Sequence, residues 1–394
     1  MKIAIIFADM LRPNRFSLFN HESDETMFDQ YIQNFGGTIY KNCFTPGPDT
    51  PRGMSSIFTG ISSIHNGCNL RLKWPREFLN SKHKSIFDLF LSHGYKIDAL
   101  SDPRERAVGL FPKNVSHLDI HNDKYDINKF TDSLEISDNH MVFISLPQFH
   151  WTFDAYGATY NAEKIAIEDV TNSLSQVFSN LDKNLFDHIF IFSDHGFKFL
   201  HQIKLEPKYL LLNDDRIQTV MIHRKKFQEN IEFDNTLTSV EDLFPTISEI
   251  LDGRSSGFSL FAKNNRKNIV IEDHIQFMPE INQNIELWAV VDKINIYIRD
   301  VKQAHLLNRN SGEIIIGDSK YFDEILISES SYKRYKQEYE KIFVYSHNLL
   351  SKVGDDFDIL YDKRRKKRNF LINLFFQIRD LTINVLLNFF KKNS

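Results

Sequence analysis

Two short stretches hold residue types that could do chemistry. "DTPRGMSSIFTG", residues 49–60, gathers the hydroxyls of Thr50, Ser55 and Ser56 around one arginine, Arg52, with a proline and two glycines. "SDHG", residues 193–196, sets Asp194 beside His195. A hydroxyl becomes a useful nucleophile only when a neighbour lowers its pKa or takes its proton. A carboxylate oxygen next to an imidazole nitrogen suits zinc, manganese or a similar ion. Adjacent side chains on a strand point to opposite faces, so Asp194 and His195 can meet one ion only where a strand gives way to a loop. Gly196 permits that turn. Taken alone, these residues fit a surface turn as well as an ion site, and the nucleophile is open among the hydroxyls. Asp9 closes the apolar run Ile3–Ala8, a position where an aspartate also serves as a helix cap.

The elements that must position these groups alternate along the chain. "IAIIFAD" reads as a buried strand ending at Asp9, "YKIDALS", "MVFISLP", "HIFIFSDHG" and "TVMIHR" as further strands, the third stopped by Pro147. Between them "SIFDLFLSHG" has a helical apolar face with Gly94 as C-cap. Residues 161–181 carry Ile165, Val170, Leu174, Val177 and Leu181 at helical spacing, and "SVEDLFPTISEIL" is a late helix. Strands alternating with helices predict an α/β fold with a largely parallel central sheet flanked by helices. Ligand groups in such folds sit past the C-terminal ends of strands. Asp9, the "PQFH" segment with His150, and Asp194 all stand there. Near residue 265 the texture changes to "AKNNRKN" followed by the strand-like "IELWAVV" and "INIYIRD". The division expected is a core domain over 1–264, a smaller α+β subdomain over 265–345 and a tail over 346–394.

Composition removes several classes. The chain has 394 residues, 42% hydrophobic and 25% charged, which is folded-protein composition. A net charge of −4 excludes a chain-wide electrostatic nucleic-acid binder. Two cysteines, Cys43 and Cys68, allow no disulfide framework or cysteine-rich zinc site, and free thiols are expected. The first apolar run is too short for a signal-peptide core and ends in an acid, so a cytoplasmic protein starting at this strand is expected.

The order of these segments resembles the alkaline phosphatase and sulfatase superfamily of metal-dependent phosphoryl and sulfuryl enzymes, from about residue 3 to residue 315. "IIFADMLRPN" is similar to the family's first strand, whose terminal Asp binds metal, and "FSDHG" to its later metal-binding segment. "TPRGMSSIFTG" resembles the nucleophile segment, where the nucleophile stands nine residues before the Thr of a Thr-Gly pair; here that pair is Thr59-Gly60 and the register selects Thr50. "SIHNGC", "LPQFHWTF", "SVEDLFPTISEIL" and "KINIYIRD…HLLNRNSGE" follow in the family's order. The resemblance implies Asp9, Asp194, His195 and Thr50 around one divalent ion, zinc or manganese before calcium, since Asp9 is flanked by Ala8 and Met10 rather than by a second acid. Sulfatases oxidise a Cys or Ser at the nucleophile position to formylglycine. Thr50 does not fit that modification and resembles instead the phosphodiesterase, phosphonate hydrolase and phosphoglycerol or phosphoethanolamine transferase branches. A phospho-threonine intermediate is implied.

His150 is expected to contact the phosphoryl group or protonate the leaving oxygen, and Arg52, His201 and Lys204 to bind substrate. Asp154 and His201 are the alternative second-metal ligands, with the family's Asp-x-x-x-His order reversed in His150 and Asp154. The tail "KRRKKRNFLINLFFQIRDLTINVLLNFFKKNS", read as a helix, puts Asn369, Asn373, Gln377, Asp380, Asn384 and Asn388 on one polar stripe behind a basic run. It is expected to lie on an anionic membrane surface, placing the protein on the inner face of the membrane, or to join copies into a homo-oligomer. The function expected is a phosphoryl-group hydrolase or transferase acting on a phosphodiester, a phosphorylated small molecule or a lipid-linked glycan. The alternatives are a sulfatase or sulfuryl transferase, and an inactive glycan- or partner-binding protein.

Overall fold

The computed structural model describes residues 1–66, 83–101, 116–119, 126–254, 257–262, 266–278, 283–330, 332–333 and 337. Met1–Tyr332 forms one compact unit that contains both sheets of the fold; Lys333–Ser394 forms a second. The tail expected over 346–394, and Cys68, lie outside the described residues. Cys43 is a buried free thiol. Among the described residues no helix is long and apolar enough to cross a membrane.

The large sheet has eight strands: β1 (Lys2–Ala8), β2 (Gly37–Phe44), β3 (Lys96–Ser101), β4 (Ser116–Asp119), β5 (His140–Leu146), β6 (His188–Phe192), β7 (Met221–Lys225) and β8 (Ile231–Ser239). Their order is β4-β3-β5-β1-β6-β7-β2-β8. The pairs from β4 through β6 are parallel, as is β2 with β8, while β7 runs antiparallel to both its neighbours. The largely parallel sheet of the sequence reading is therefore present. The strand of "TVMIHR" is the one reversed within it.

A parallel sheet covered on both faces needs strands that are apolar on both faces, and β1 is built that way. Ile3, Ile5 and Phe7 pack with the helices Thr50–Thr59, Ile86–Ser92 and Leu243–Asp252, whereas Ala4, Ile6 and Ala8 pack with the helices Met27–Phe35 and Tyr160–Asn180. The long helix Tyr160–Asn180 presents Ala162, Ala166, Ile167, Val170, Leu174 and Val177 to the core. Ile165, read as part of that stripe, is exposed; a step of five to Val170 carries it off the face that Ala166 occupies. Gly94 sits just beyond the cap residue His93 with φ of 73°.

The second sheet is antiparallel, in the order β13-β12-β11-β10-β9, from β9 (Ile269–Met278), β10 (Gln283–Val291), β11 (Asn295–Arg299), β12 (Ala304–Asn308) and β13 (Ile314–Ile316). Its apolar face packs on Leu211, Leu212, Ile217, Leu237 and Phe44. Phe44 ends β2, which leads into the helix Thr50–Thr59, and Arg52 of that helix donates to the Glu272 carbonyl of β9 at 3.0 Å, so this sheet borders the candidate site.

Candidate active site

Parallel strands deliver their C-terminal ends to one edge. Phe7 of β1 pairs with Phe192 of β6, and two more residues in that register bring Asp9 beside Asp194. On the other side Ala8 pairs with Leu146, which leads into Pro147 and the helix Gln148–Tyr156 carrying His150. The fourth contribution comes from β2, a strand not read in the sequence because "GTIYKNCF" mixes polar with apolar residues. Beyond it the chain turns into the helix Thr50–Thr59.

The sequence dictates that helix at both ends. Asp49 is the N-cap, its side chain accepting from the Arg52 N–H at 3.2 Å; Pro51 lies in the first turn, and Gly60 closes the helix in the left-handed region with φ of 62°. Thr50 is thus its first residue. The first-turn N–H groups and the helix dipole favour negative charge at this end, whether a deprotonated hydroxyl or a bound anion.

The side chains converge. The Thr50 hydroxyl lies 3.5 Å from Asp9 Oδ1 and 3.5 Å from His195 Nε2. His150 Nε2 lies 3.2 Å from Asp9 Oδ2. One ligand atom each from Asp9, Asp194 and His195 lie within 4.8 Å of one another, and all three residues are buried. His195 Nδ1 stands 2.5 Å from the Gly196 carbonyl, so Nδ1 carries the proton and Nε2 presents a lone pair. Nε2 faces Asp194 Oδ2 at 3.4 Å, and that oxygen is buried with no hydrogen bond. When the carboxyl is ionised, these two electron-rich atoms confront each other, an arrangement that is unfavourable unless a cation joins them.

The other Asp194 oxygen is satisfied: Oδ1 accepts from the N–H groups of Met10 at 3.2 Å and His195 at 2.9 Å. Burial pushes the Asp194 carboxyl up to about 7 against these hydrogen bonds. Burial also lowers His195, which favours the neutral imidazole that a metal ligand must be. Met10 donates its N–H from φ of 60°, a conformation that costs a non-glycine residue about 1–3 kcal/mol and is retained where the surroundings enforce it. The orphaned carboxylate oxygen, the bare imidazole nitrogen and the Asp9 carboxylate fit a divalent ion with mixed N and O ligands. Among the described residues this is the one group of its kind.

Ser55 and Ser56 are buried in the body of the helix, with Ser55 donating to the Arg52 carbonyl at 3.1 Å. Of the three hydroxyls, Thr50 is the one beside Asp9 and His195. Asp154 and His201 are both exposed and do not join the ligand group; His201 stacks on Phe199 at 5.8 Å. Lys204 lies in the helix Leu200–Leu205, and its side chain falls outside the described residues. Gly196 is required by space rather than by turn conformation, because a Cβ there would meet the Asp215 carbonyl oxygen at 2.2 Å.

Arg52 is turned inward. It is fully buried, and it donates from Nε to Asp49 Oδ2 at 2.5 Å, from Nη2 to Asp273 Oδ1 at 2.7 Å and from Nη1 to the Glu272 carbonyl at 3.0 Å. The expected anion clamp is instead a tie from the first turn of the Thr50 helix to β9. Asp273 Oδ2 accepts from Arg216 Nη1 at 2.5 Å. Burial opposes ionisation of Asp273, but Arg216 and Arg52 hold it down at about 2. Arg12 is also buried, gripping Glu163 at 2.9 Å beneath the rings of Phe197 and Phe199. Asp49, Asp273, Arg216 and Arg12 were not singled out in the sequence. An aspartate before Thr-Pro is a readable cap signal; the rest are joined only by tertiary structure.

Solved structures resemble this arrangement over most of the chain. A protein of the alkaline phosphatase superfamily from Vibrio parahaemolyticus superposes with a TM-score of 0.59 at 12% identity, over 85% of this chain and 88% of that one. The fold resembles that of this alkaline phosphatase superfamily protein. A phosphonate monoester hydrolase from Silicibacter pomeroyi gives 0.58 at 12% identity, covering 87% of this chain and 94% of its own. A 2-O GAG sulfatase gives 0.57 at 13% identity, covering 93% of each chain. No protein-family model matches the sequence, and comparison with curated protein sequences finds no match. At these identities the superfamily likeness is one of fold, and the chemistry rests on the residues of this chain.

Proposed function

We propose that this chain is a metal-dependent phosphoryl-group hydrolase or transferase in which Thr50 attacks phosphorus. The observation that carries the reading is the Thr50 hydroxyl, 3.5 Å from both Asp9 and His195 at the positive end of its helix. A divalent ion held by Asp9, Asp194 and His195 would lower the pKa of that hydroxyl and offset negative charge on the substrate oxygens. Thr50 Oγ1 gives its proton to solvent water, bonds to phosphorus as the bond from phosphorus to the leaving oxygen breaks, and recovers a proton from solvent when it is released. His150, partly exposed and 3.2 Å from Asp9, supports the role of proton donor to that leaving oxygen. Water or an acceptor hydroxyl then attacks phosphorus and releases Thr50, with His150 taking the proton back.

A threonine at this position, together with a phosphonate monoester hydrolase among the structural neighbours, supports phosphorus over sulfur. A GAG sulfatase among them supports a saccharide-bearing phosphodiester or a lipid-linked glycan as the substrate class. Thr50→Ala is expected to lower turnover of an aryl phosphodiester by on the order of 10³-fold or more while the melting temperature holds. Near-normal turnover by Thr50→Ala would reject Thr50 as nucleophile, and faster turnover of an aryl sulfate than of the phosphodiester by the parent chain would reject phosphorus.

A further inference from the structure

The buried Asp273 on β9 stands where two chains of contact meet. One runs through Arg52: Asp273 Oδ1 accepts from Arg52 Nη2 at 2.7 Å, and Arg52 Nε donates to Asp49, the cap of the helix that begins with Thr50. The other runs through Arg216: Asp273 Oδ2 accepts from Arg216 Nη1 at 2.5 Å, and the Arg216 carbonyl accepts from the Gly196 N–H at 3.0 Å. The Gly196 carbonyl in turn fixes the ring of His195 through Nδ1 at 2.5 Å. Arg216 Nη2 also donates to the Pro48 carbonyl at 3.3 Å, so it touches the approach to Thr50 as well.

We infer that Asp273 is a positioning residue, which sets the separation of Thr50 and His195 by clamping the nucleophile helix and the metal-ligand loop from beneath. Four features support a positioning role over simple cohesion. The four charges alternate, Asp49, Arg52, Asp273, Arg216, and sum to zero, so no member is left uncompensated in the interior. Asp273 and Arg52 are fully buried, and Asp49 and Arg216 nearly so. Both guanidinium groups are held by several acceptors at fixed angles, which transmits direction as a single ammonium contact would not. Finally, each arm ends one residue from a group that faces the Thr50 hydroxyl or carries it. By this inference the second sheet contributes to the active site through a residue that does not itself touch the Thr50 hydroxyl. The inference rests on the proposed phosphoryl-transfer reading.

Asp273→Asn and Arg216→Lys test it, the second because it keeps its charge but loses the fork that spans Asp273 and the Pro48 carbonyl. Each is compared with the parent chain by thermal melting, by zinc titration against a competing chelator, and by steady-state kinetics on an aryl phosphodiester. In the folded protein zinc affinity is expected to weaken by about tenfold. Turnover number is expected to fall by about 100-fold with KM within about threefold, because binding groups stay while the reacting geometry loosens. Unaltered zinc affinity and turnover in a folded variant overturn the inference and leave Asp273 a stabilising residue; where Asp273→Asn does not fold, Arg216→Lys decides. A parent chain that neither binds zinc nor turns over the ester overturns the functional reading itself, and the inference with it. That outcome is recognised without any variant.

Discussion

Asp194, at the floor of the site, and Asp273, in the tie beneath it, are both fully buried, and the fold treats them in opposite ways. Asp194 has one oxygen without a hydrogen bond and a carboxyl pushed up to about 7 by burial. Asp273 has a guanidinium on each oxygen and is held at about 2. Burial alone would raise both. The difference is made by two arginines, so the second sheet closes its electrostatics within the chain while the floor of the site leaves its own open. Incomplete compensation at a convergent set of ligands is the physical mark of a place built for something the chain does not itself supply.

The comparison breaks most visibly in function. Asp194→Asn is expected to abolish metal retention, read as a fall from about one ion per chain by elemental analysis, and to lower turnover by on the order of 10³-fold or more. Its metal-free melting temperature should match or exceed that of the metal-free parent, because an uncompensated buried acid has been removed. A metal-free variant that melts well below the parent would show that the open oxygen stabilises the fold and would sink the contrast. The same substitution at the other aspartate acts on stability first. Asp273→Asn leaves two buried guanidinium groups short of a partner, and a loss of about 3–5 kcal/mol in denaturant unfolding is expected. A loss under about 1 kcal/mol would mean that the network relaxes freely.

The smallest effect is a difference of slope. A carboxyl raised in the folded state binds a proton that the unfolded chain has released, so the contribution of Asp194 to metal-free stability falls as pH rises from about 4 to about 7. A carboxyl lowered in the folded state behaves inversely: Asp273 contributes fully above about 4 and loses its contribution as pH falls towards 2. Each is worth at most about 1.4 kcal/mol per pH unit. Unfolding of the metal-free parent and of Asp194→Asn, compared between pH 5 and 7, isolates the first slope; parallel curves would contradict it.

The same two regions show what the sequence can carry. The floor is assembled from local signals: an apolar strand ending in Asp9, another ending in Ser193-Asp194-His195, and an Asp-Thr-Pro start to a helix that ends in Thr-Gly. Each marks an element end, and parallel strands gather such ends at one edge by rule. The tie has no local signal. Arg52 and Asp273 are 221 residues apart, and nothing in "EDH" distinguishes an acid that faces two arginines from one that faces water. Arg52 was misjudged for the same reason, since an arginine beside a candidate nucleophile looks alike in sequence whether it turns towards solvent or into the protein. β2 escaped detection because its polar residues interrupt the apolar pattern, and Ile165 was placed by a spacing that drifts off the buried face.

The 221-residue interval between Arg52 and Asp273 also has a meaning in time. A chain emerging from the ribosome carries Asp9, Thr50, Asp194 and His195 well before the strand that holds Asp273. At roughly 5–20 residues per second, synthesis from Arg52 to Asp273 takes about ten to forty seconds. Over the last part of that interval, between His195 and Asp273, the nascent chain has all four candidate groups but not the carboxylate that joins their supports, so on the proposed reading completion of the centre waits for a segment translated late.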